Sequence, residues 1–206
     1  MNSVGECGLD EFISGVAAAK PVPGGGCVAA LAGSLAAALG EMMAGLTEGR
    51  AKFAGVEPQV RKIHATLADL RSALRVLVQE DATAFQALLD AIKLPKGTAE
   101  ETSVRSIAIE RTLRGATLTP LRIARAAAEV LECLTILIEI GNPNAKCDLA
   151  VGAQMAYASL KGVQYNVRAN TSGLKDMPFV ESCRLEISDL VRRGESALKK
   201  IDEIAG

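Results

Sequence analysis

The chain has 206 residues, of which 49% are hydrophobic and only 3% aromatic, and its 23 basic and 24 acidic residues leave a formal net charge of −1. A chain of this length buries one sizeable core, so we expect a single domain over residues 1–206. The balanced charge argues against a nucleic-acid binder, and five scattered cysteines without a CxxC pair indicate free thiols in the reducing cytoplasm.

Prolines, glycines and capping residues divide the chain into helical segments, and no stretch has the alternating β-branched pattern of a strand. The core must be built mainly from Ala, Leu, Val and Ile, which favour close helix packing. We therefore predict an all-α, single-domain bundle of about seven helices. They are expected over about 9–19, 27–46, 58–93, 98–119 and 120–141, then after Asn144, and finally from about Pro178 to the end.

Three consecutive glycines, Gly24, Gly25 and Gly26, precede the second predicted helix. Backbone N–H groups at a helix N-terminus suit an anion or the flat polar edge of a ligand. The run lacks the spacing of a P-loop or a dinucleotide fingerprint, and no strand precedes it. A ligand-binding turn is therefore one interpretation, and a flexible turn is the favoured alternative.

The second predicted helix lies in a run, residues 26–46, that is almost entirely apolar. The run is dominated by Ala and Gly, contains Glu41 and lacks basic flanks, so a buried central helix is favoured over a membrane span. Ala30, Ser34 and Ala38 share one face, and small residues four apart let two helices approach closely. The close partner is another helix of the bundle or the same helix of a second copy.

The third predicted helix carries an apolar seam of heptad type, which is interrupted by Asp81. A carboxylate at a core-facing position must be paired, hydrogen-bonded or shifted in pKa, because burial penalises its charged form. Asp81 is therefore a candidate functional residue, and a structural ion pair with an Arg or Lys across the bundle is the alternative. The seam consists of Val60, Ile63, Leu67, Leu70, Leu74 and Leu77 before Asp81, with Ala84 and Leu88 after it.

The sequence offers few other groups for catalysis. The only histidine, His64, lacks companions at metal-ligand spacing, so we expect no metal site. The chain also lacks a nucleophile elbow and a cysteine–histidine pair. Acid–base or electrostatic catalysis is therefore the expected class of chemistry.

Two groups of polar side chains lie farther along the chain. Asn142, Asn144 and Asp148 surround the predicted start of the sixth helix, where capping explains one or two of them but not easily all three. Asn166 and Asn170 lie one helical turn apart on one face, with Arg168 on another side. The second pair suits hydrogen bonding to a heteroaromatic ligand, and polar contacts between helices are the alternative.

Taken together, these motifs resemble a known family, the cyclodeaminase domain of formiminotransferase-cyclodeaminase and the stand-alone methenyltetrahydrofolate cyclohydrolases related to it. The resemblance covers nearly the whole chain. Cys27 and Cys147 depart from it, because the family often has serine there and a thiol is a weaker hydrogen-bonding group. The motifs, in the family's order, are Pro23-Gly-Gly-Gly26, Asp81-Ala-Thr-Ala-Phe85, Leu94-Pro-Lys-Gly-Thr98, Gly141-Asn-Pro-Asn-Ala145, Asp148 and Asn166-Val-Arg-Ala-Asn170.

The resemblance implies a homodimeric helical fold with a folate site between helices, and it makes Asp81 the proton donor and acceptor. The implied activity is that of a 5-formiminotetrahydrofolate cyclodeaminase or a 5,10-methenyltetrahydrofolate cyclohydrolase. A non-catalytic folate-binding or structural helical dimer is the alternative. The implied ligand is a tetrahydrofolate derivative, with or without a polyglutamate tail, and we expect no other cofactor, no nucleic acid and no membrane partner.

The resemblance also directs attention to residues that would bind the folate. Arg168 and Lys175 are expected to meet its glutamate tail. The residues expected at the polar edge of its pterin ring are Asn142, Asp148, Asn166 and Asn170. Gly24, Gly25 and Gly26 are further candidates for binding the substrate.

Overall fold

The computed structural model describes Val4 and residues 7–206, and all regular secondary structure in that part of the chain is helical. The all-α prediction is therefore confirmed, although the expected domain start at residue 1 lies outside the described residues. Two short 3₁₀ turns, Ala51–Phe53 and Pro143–Ala145, lie between helices. The six α-helices are α1 (Leu9–Ala17), α2 (Gly25–Thr47), α3 (Glu57–Ile92), α4 (Ala99–Ile140), α5 (Lys146–Thr171) and α6 (Met177–Ala205).

The predicted helix break at Thr119-Pro120 is wrong, because α4 continues through Pro120 to Ile140. Proline has no N–H group to donate to the carbonyl four residues earlier, which belongs to Ala116. That carbonyl instead accepts a hydrogen bond from Nδ2 of Asn170 on α5, at 2.6 Å. A contact between helices thus replaces the missing hydrogen bond, and the predicted fourth and fifth helices form one helix.

Two helix starts are capped by side chains. Thr98 accepts a hydrogen bond from the N–H of Glu101 at 3.1 Å, and the Glu101 carboxylate accepts one from the N–H of Thr98 at 3.0 Å, as the sequence pattern predicts. Asp176 accepts from the N–H of Phe179 at the start of α6. The start of α2 differs, because Gly24 has no side chain to cap it. The first N–H groups of α2 are therefore left for other partners.

Helix α2 lies at the centre of the packing, between α3 and α5 and against α4, while α6 covers α4 and α5. By length and composition α2 is the one described helix that could cross a membrane, but 56% of its apolar stretch is buried inside the protein. Its small residues permit close packing. A methyl group on Gly40 would lie 2.6 Å from Leu134 Cδ2 of α4 and 2.8 Å from Leu67 Cδ1 of α3.

Helices α2 and α3 run antiparallel in a fixed register. Gly40 faces Leu67, Gly33 faces Leu74, and Gly26 faces Asp81, so successive contacts are spaced by seven residues on each helix. The pairing ends at the start of α2. Residues 83–92 of α3 extend about 15 Å farther, at a rise of about 1.5 Å per residue. They form one wall of an open space above the N-terminus of α2.

One buried hydroxyl group among the described residues has no hydrogen-bond partner, that of Ser159 on α5. It lies in the α2–α5 interface, next to Gly33 and within the apolar packing. A buried polar group without a partner costs about 1–3 kcal/mol.

We expect Ser159→Ala to raise the free energy of unfolding by about 1 kcal/mol, because it removes this cost without opening a large cavity. Ser34→Ala is the matched control. Ser34 Oγ donates to the carbonyl of Arg71 at 3.2 Å, so its loss should lower stability by about 0.5–1.5 kcal/mol. Urea unfolding measures both changes, and destabilisation by Ser159→Ala would contradict the assignment of an unpaired hydroxyl.

Candidate functional site

A cleft of about 350 Å³ lies at the N-terminus of α2, between α3, α4 and α5. Its volume falls within the range of about 300–1,000 Å³ typical of small-molecule sites. The lining is mostly apolar, with one carboxyl group, two amides and one phenol. It comprises Pro21, Val22, Gly24, Gly25, Gly26, Asp81, Ala82, Ala84, Phe85, Ala116, Tyr165, Asn166, Ala169 and Asn170.

The carboxyl group of Asp81 lies directly on the backbone of Gly26, so close that a methyl group at position 26 would overlap both of its oxygens. Glycine is therefore required at this position by the contact itself. Cys27 Sγ donates a hydrogen bond to Asp81 Oδ2 at 3.4 Å. The carboxyl group thus approaches the positive end of α2, where helix geometry favours negative charge.

Asp81 is not part of a structural ion pair among the described residues. Its neighbour Glu80 pairs with Arg122 of α4, on the outer side of the two helices. Burial raises the pKa of Asp81 above its ordinary value, and hydrogen bonds from the Cys27 thiol and backbone N–H partly oppose this rise. A carboxyl group whose pKa is raised in a cleft is suited to accept and return a proton.

Asn166 and Asn170 both line the cleft, as their spacing on one helix face predicts. Nδ2 of Asn170 is occupied by the carbonyl of Ala116, which leaves its Oδ1 free to accept a hydrogen bond from a ligand. The amide nitrogen of Asn170 therefore has a structural role between helices, and only its oxygen is available to a ligand. Oδ1 of Asn166 points toward Gly25 across the mouth of the cleft, 3.9 Å from where a methyl group on that glycine would lie.

Two aromatic residues also line the cleft, and the sequence patterns alone do not identify them as ligand contacts. Phe85 follows Asp81 by four residues and Tyr165 directly precedes Asn166. Tyr165 is 66% exposed, which is high for a tyrosine beside an apolar cleft. Flat aromatic faces suit stacking against a heteroaromatic ring. The spacing of four residues from Asp81 was the available signal for Phe85.

The structure places Asn142 far from the cleft of its own chain, so its expected contact with the pterin stays a prediction. Asn142 is buried at the other end of α2, where its N–H donates to Thr47 Oγ1 at 2.9 Å and its Nδ2 donates to the carbonyl of Leu46 at 3.0 Å. Its Oδ1 accepts from the N–H of Asn144. Twenty residues of helix, or about 30 Å, separate Leu46 from Gly26. Asn142 is a structural tie between helices.

Asp148 likewise lies outside the cleft of its own chain. It is exposed in the first turn of α5, whereas the cleft is lined by Asn166 near the other end of that helix. The distance between them along the helix is about 27 Å. A negative charge in the first turn of a helix is favourable, which accounts for Asp148 as part of the helix start.

Arg168 and Lys175 do not line the cleft either. Arg168 is exposed on a different side of α5 from Asn166. Lys175 lies beside a neighbouring groove on α4, where its N–H donates to Glu110 Oε1 at 3.0 Å and its Nζ reaches Ser106 Oγ at 3.5 Å. Their expected contact with a glutamate tail stays a prediction.

The cleft has no arrangement for metal binding within the described part of the chain, where no three His, Cys, Asp or Glu side chains form a group that could hold an ion. His64 lies elsewhere, with its Nδ1 2.6 Å from Glu48 Oε1. The chemistry available in the cleft is therefore that of one carboxyl group, amides, a phenol and the helix N-terminus.

Comparison with known proteins gives consistent matches. The family model for formiminotransferase-cyclodeaminase matches residues 8–189. A methenyltetrahydrofolate cyclohydrolase of Methylorubrum extorquens is 35% identical over 195 residues, covering 95% of this chain and 94% of that protein. A formimidoyltransferase-cyclodeaminase of Rattus norvegicus is 36% identical over 93% of this chain, which spans only 35% of that protein.

Among solved structures, the crystal structure of a formiminotetrahydrofolate cyclodeaminase from Thermotoga maritima superposes with a TM-score of 0.88 at 27% sequence identity. The match covers 98% of this chain and 96% of the other. The similarity therefore extends over the whole helical bundle, including the helices that form the cleft.

We expect Gly26→Ala to displace the Asp81 carboxyl group and to lower the free energy of unfolding by about 1–3 kcal/mol, the usual cost of inserting a methyl group into a packed site. Gly25→Ala is the matched control, since the nearest atom to its added methyl group is Asn166 Oδ1 at 3.9 Å. Urea unfolding and a crystal structure of each variant would check this. An unmoved carboxyl group in Gly26→Ala would contradict the contact.

Proposed function

The chain belongs to the formiminotransferase-cyclodeaminase family, and we propose that Asp81 is the acid–base group with which it works on the bridge between N5 and N10 of tetrahydrofolate. It is a folate one-carbon enzyme, as the names of its relatives indicate. The observation that carries the role of Asp81 is its position. Among the described residues it is the one carboxyl group that lines the cleft, and it is half-buried against a helix N-terminus.

In the cyclohydrolase reaction, water adds to the bridge carbon of the cationic 5,10-methenyl group. Asp81 in its ionised form accepts a proton from that water as the carbon–oxygen bond forms, and its charge stabilises the neighbouring cation. The bond from the bridge carbon to N5 then breaks, and Asp81 returns its proton to N5. The remaining hydroxyl proton goes to solvent, which leaves 10-formyltetrahydrofolate.

In the cyclodeaminase reaction, N10 attacks the formimino carbon that N5 carries. Asp81 takes the proton from N10 as the new carbon–nitrogen bond forms, and then passes it to the departing nitrogen. A second proton from solvent completes the ammonia that leaves, and the product is the 5,10-methenyl cation. One carboxyl group of raised pKa serves both reactions, because each needs a base first and an acid afterwards.

The remaining cleft residues are proposed to hold the pterin ring. Asn166 and the free Oδ1 of Asn170 offer hydrogen bonds to its polar edge, and backbone N–H groups of residues 24–26 offer donors from the start of α2. Phe85 and Tyr165 supply flat faces for the ring itself. This arrangement holds the substrate with its bridge toward Asp81.

Both activities fit the comparisons, because the chain spans nearly all of the relative named as a cyclohydrolase and nearly all of the chain in the cyclodeaminase crystal structure. The absorbance of the 5,10-methenyl chromophore separates them. Its loss when the enzyme meets methenyltetrahydrofolate identifies a cyclohydrolase, and its appearance together with ammonia from 5-formiminotetrahydrofolate identifies a cyclodeaminase. Saturable folate binding without turnover of either substrate would favour the non-catalytic alternative.

We also propose that the enzyme works in the reducing cytoplasm with no cofactor beyond its tetrahydrofolate substrate. All five cysteines are free thiols, and Cys27, Cys133 and Cys183 are buried as such. The proposed reactions move protons and make or break carbon–nitrogen and carbon–oxygen bonds, so they need no electron carrier.

We expect Asp81→Asn to lower turnover by about 10²–10⁴-fold, the usual contribution of one acid–base group. The fold should persist. Because burial raises the pKa of Asp81 above 3.8, the native state keeps this proton to higher pH than the unfolded chain, and ionisation lowers stability as pH rises through that range. An amide carries no charge to bury, so the variant should be at least as stable at pH 7, with the difference vanishing below about pH 4.

Asp90→Asn is the matched control, because Asp90 lies on the same helix but is exposed and bonded only to Gln86 and Lys93. Steady-state kinetics and urea unfolding at several pH values would be measured for both variants. Near-normal turnover of Asp81→Asn would remove the residue from the mechanism.

We further propose that the enzyme is a homodimer joined through the outer face of α2. Val28, Leu35 and Met42 are exposed there at intervals of seven residues, and Leu46 continues the same face. Leu35 is 47% exposed at the middle of the helix. An apolar stripe along a whole helix of a helical bundle suits an isologous contact with the same helix of a second copy.

We expect the wild-type protein to have the mass of a dimer in light scattering, and Leu35→Glu to have that of a monomer, because a buried unpaired charge opposes association. Leu185→Glu is the control, since Leu185 is also exposed but lies on α6, which does not pack beside α2. A monomeric wild type, or an undiminished mass for Leu35→Glu, would contradict this interface.

A further inference from the structure

Cys27 touches the proposed catalytic group from a position that solvent cannot reach. Its side chain is 0% exposed, and its Sγ lies 3.4 Å from Asp81 Oδ2. It follows Gly26, whose missing side chain makes room for the carboxyl group. Resting on the proposed function of Asp81, we propose that Cys27 is a positioning residue whose thiol holds this carboxyl group in place and tunes its acidity as a permanent hydrogen-bond donor.

The chemical state of the thiol follows from its surroundings. Burial, together with the negative charge of Asp81, raises the pKa of Cys27 to about 12. The sulfur therefore keeps its proton throughout the working range, and a carboxylate can only accept that proton's hydrogen bond. Reactive and redox-active cysteines are exposed and have thiolates stabilised by nearby positive charge. Cys27 lies in the first turn of α2, but it is buried beside a carboxyl group, and these two effects outweigh the helix N-terminus. Cys27 is thus a donor and not a nucleophile.

Within the part of the chain that the structure describes, few other charges act on Cys27 and Asp81. On α3 and α4, Glu80 and Arg122 neutralise each other outside the cleft. On α5, Tyr165 is the only ionisable group that lines the cleft. On α2 itself, the first ionisable residue after Cys27 is Glu41, about four turns away and paired with Arg71 of α3. Besides burial, the hydrogen bonds of Cys27 are therefore the main influence on the pKa of Asp81.

The strength of the hydrogen bond that residue 27 donates determines whether a substitution there raises or lowers the pKa of Asp81. A thiol is a weak donor, a hydroxyl is a stronger one, and a methyl group donates nothing. A hydrogen bond to the ionised carboxylate lowers its pKa. The pKa of Asp81 should therefore rise in the order Cys27→Ser, wild type, Cys27→Ala. Loss of the donor also frees the carboxyl group to rotate, so kcat/KM of Cys27→Ala at neutral pH should fall by about 10-fold, whereas KM should change little.

The test is a titration of the Asp81 carboxyl carbon by ¹³C NMR in protein labelled at aspartate, with the signal assigned by its absence in Asp81→Asn. The pH dependence of kcat/KM is measured on the same proteins, and the midpoint of its fall at acid pH, the acid limb, is compared with the NMR midpoint. We expect both midpoints to follow the stated order. Cys183→Ser is the control, because Cys183 is a buried cysteine on α6 and should move neither midpoint.

Equal NMR midpoints in Cys27→Ser, Cys27→Ala and wild type would overturn the proposal. If Cys27→Ala does not fold, the nearly isosteric Cys27→Ser still decides by its lower midpoint. The two readouts also separate this proposal from the function on which it rests. NMR midpoints in the stated order with an unmoved acid limb would uphold the action of Cys27 on Asp81 and overturn Asp81 as the catalytic base.

Discussion

The contact between the Asp81 carboxyl group and the backbone of Gly26 joins the packing of the bundle to its chemistry. Helices α2 and α3 approach closely enough for this contact because glycine also meets leucine seven residues away, at Gly33 and Leu74, and again fourteen residues away, at Gly40 and Leu67. A register that buries those leucines also delivers the carboxyl group to the start of α2. The position of the proposed catalytic group is therefore fixed by ordinary core packing along the two helices.

Seating a carboxyl group there sets two electrostatic effects against each other. Burial disfavours the ionised form, whereas the N-terminus of α2 and the hydrogen bonds of Cys27 favour it. Burial is the larger effect, so Asp81 holds its proton more tightly than an exposed aspartate. A group that must take up a proton and release it within one turnover benefits from such a balance. The same burial lowers stability whenever the group is ionised, which is a cost that a purely structural residue would not need.

The sequence predicts the class of fold and the central residue of the site, because both depend on periodicity. An apolar seam interrupted by Asp81 and two amides one turn apart are patterns within single helices, and the structure brings these residues together at one cleft. Asn142 and Asp148 could not be judged in this way. Whether a polar residue near a helix start binds a ligand or ties helices together depends on which ends of α2 and α5 meet, and that is a property of the tertiary packing.

The continuity of α4 through Pro120 shows the same limit and also explains part of the cleft. Locally, proline removes a hydrogen-bond donor and predicts a break. In the folded chain, the carbonyl of Ala116 that proline leaves free is where the amide of Asn170 binds. A regular helix would already supply a donor to that carbonyl and would hold Asn170 less strongly. The missing hydrogen bond at Pro120 therefore orients Asn170 of α5. The amide oxygen of Asn170 remains available to the cleft in which Asp81 lies.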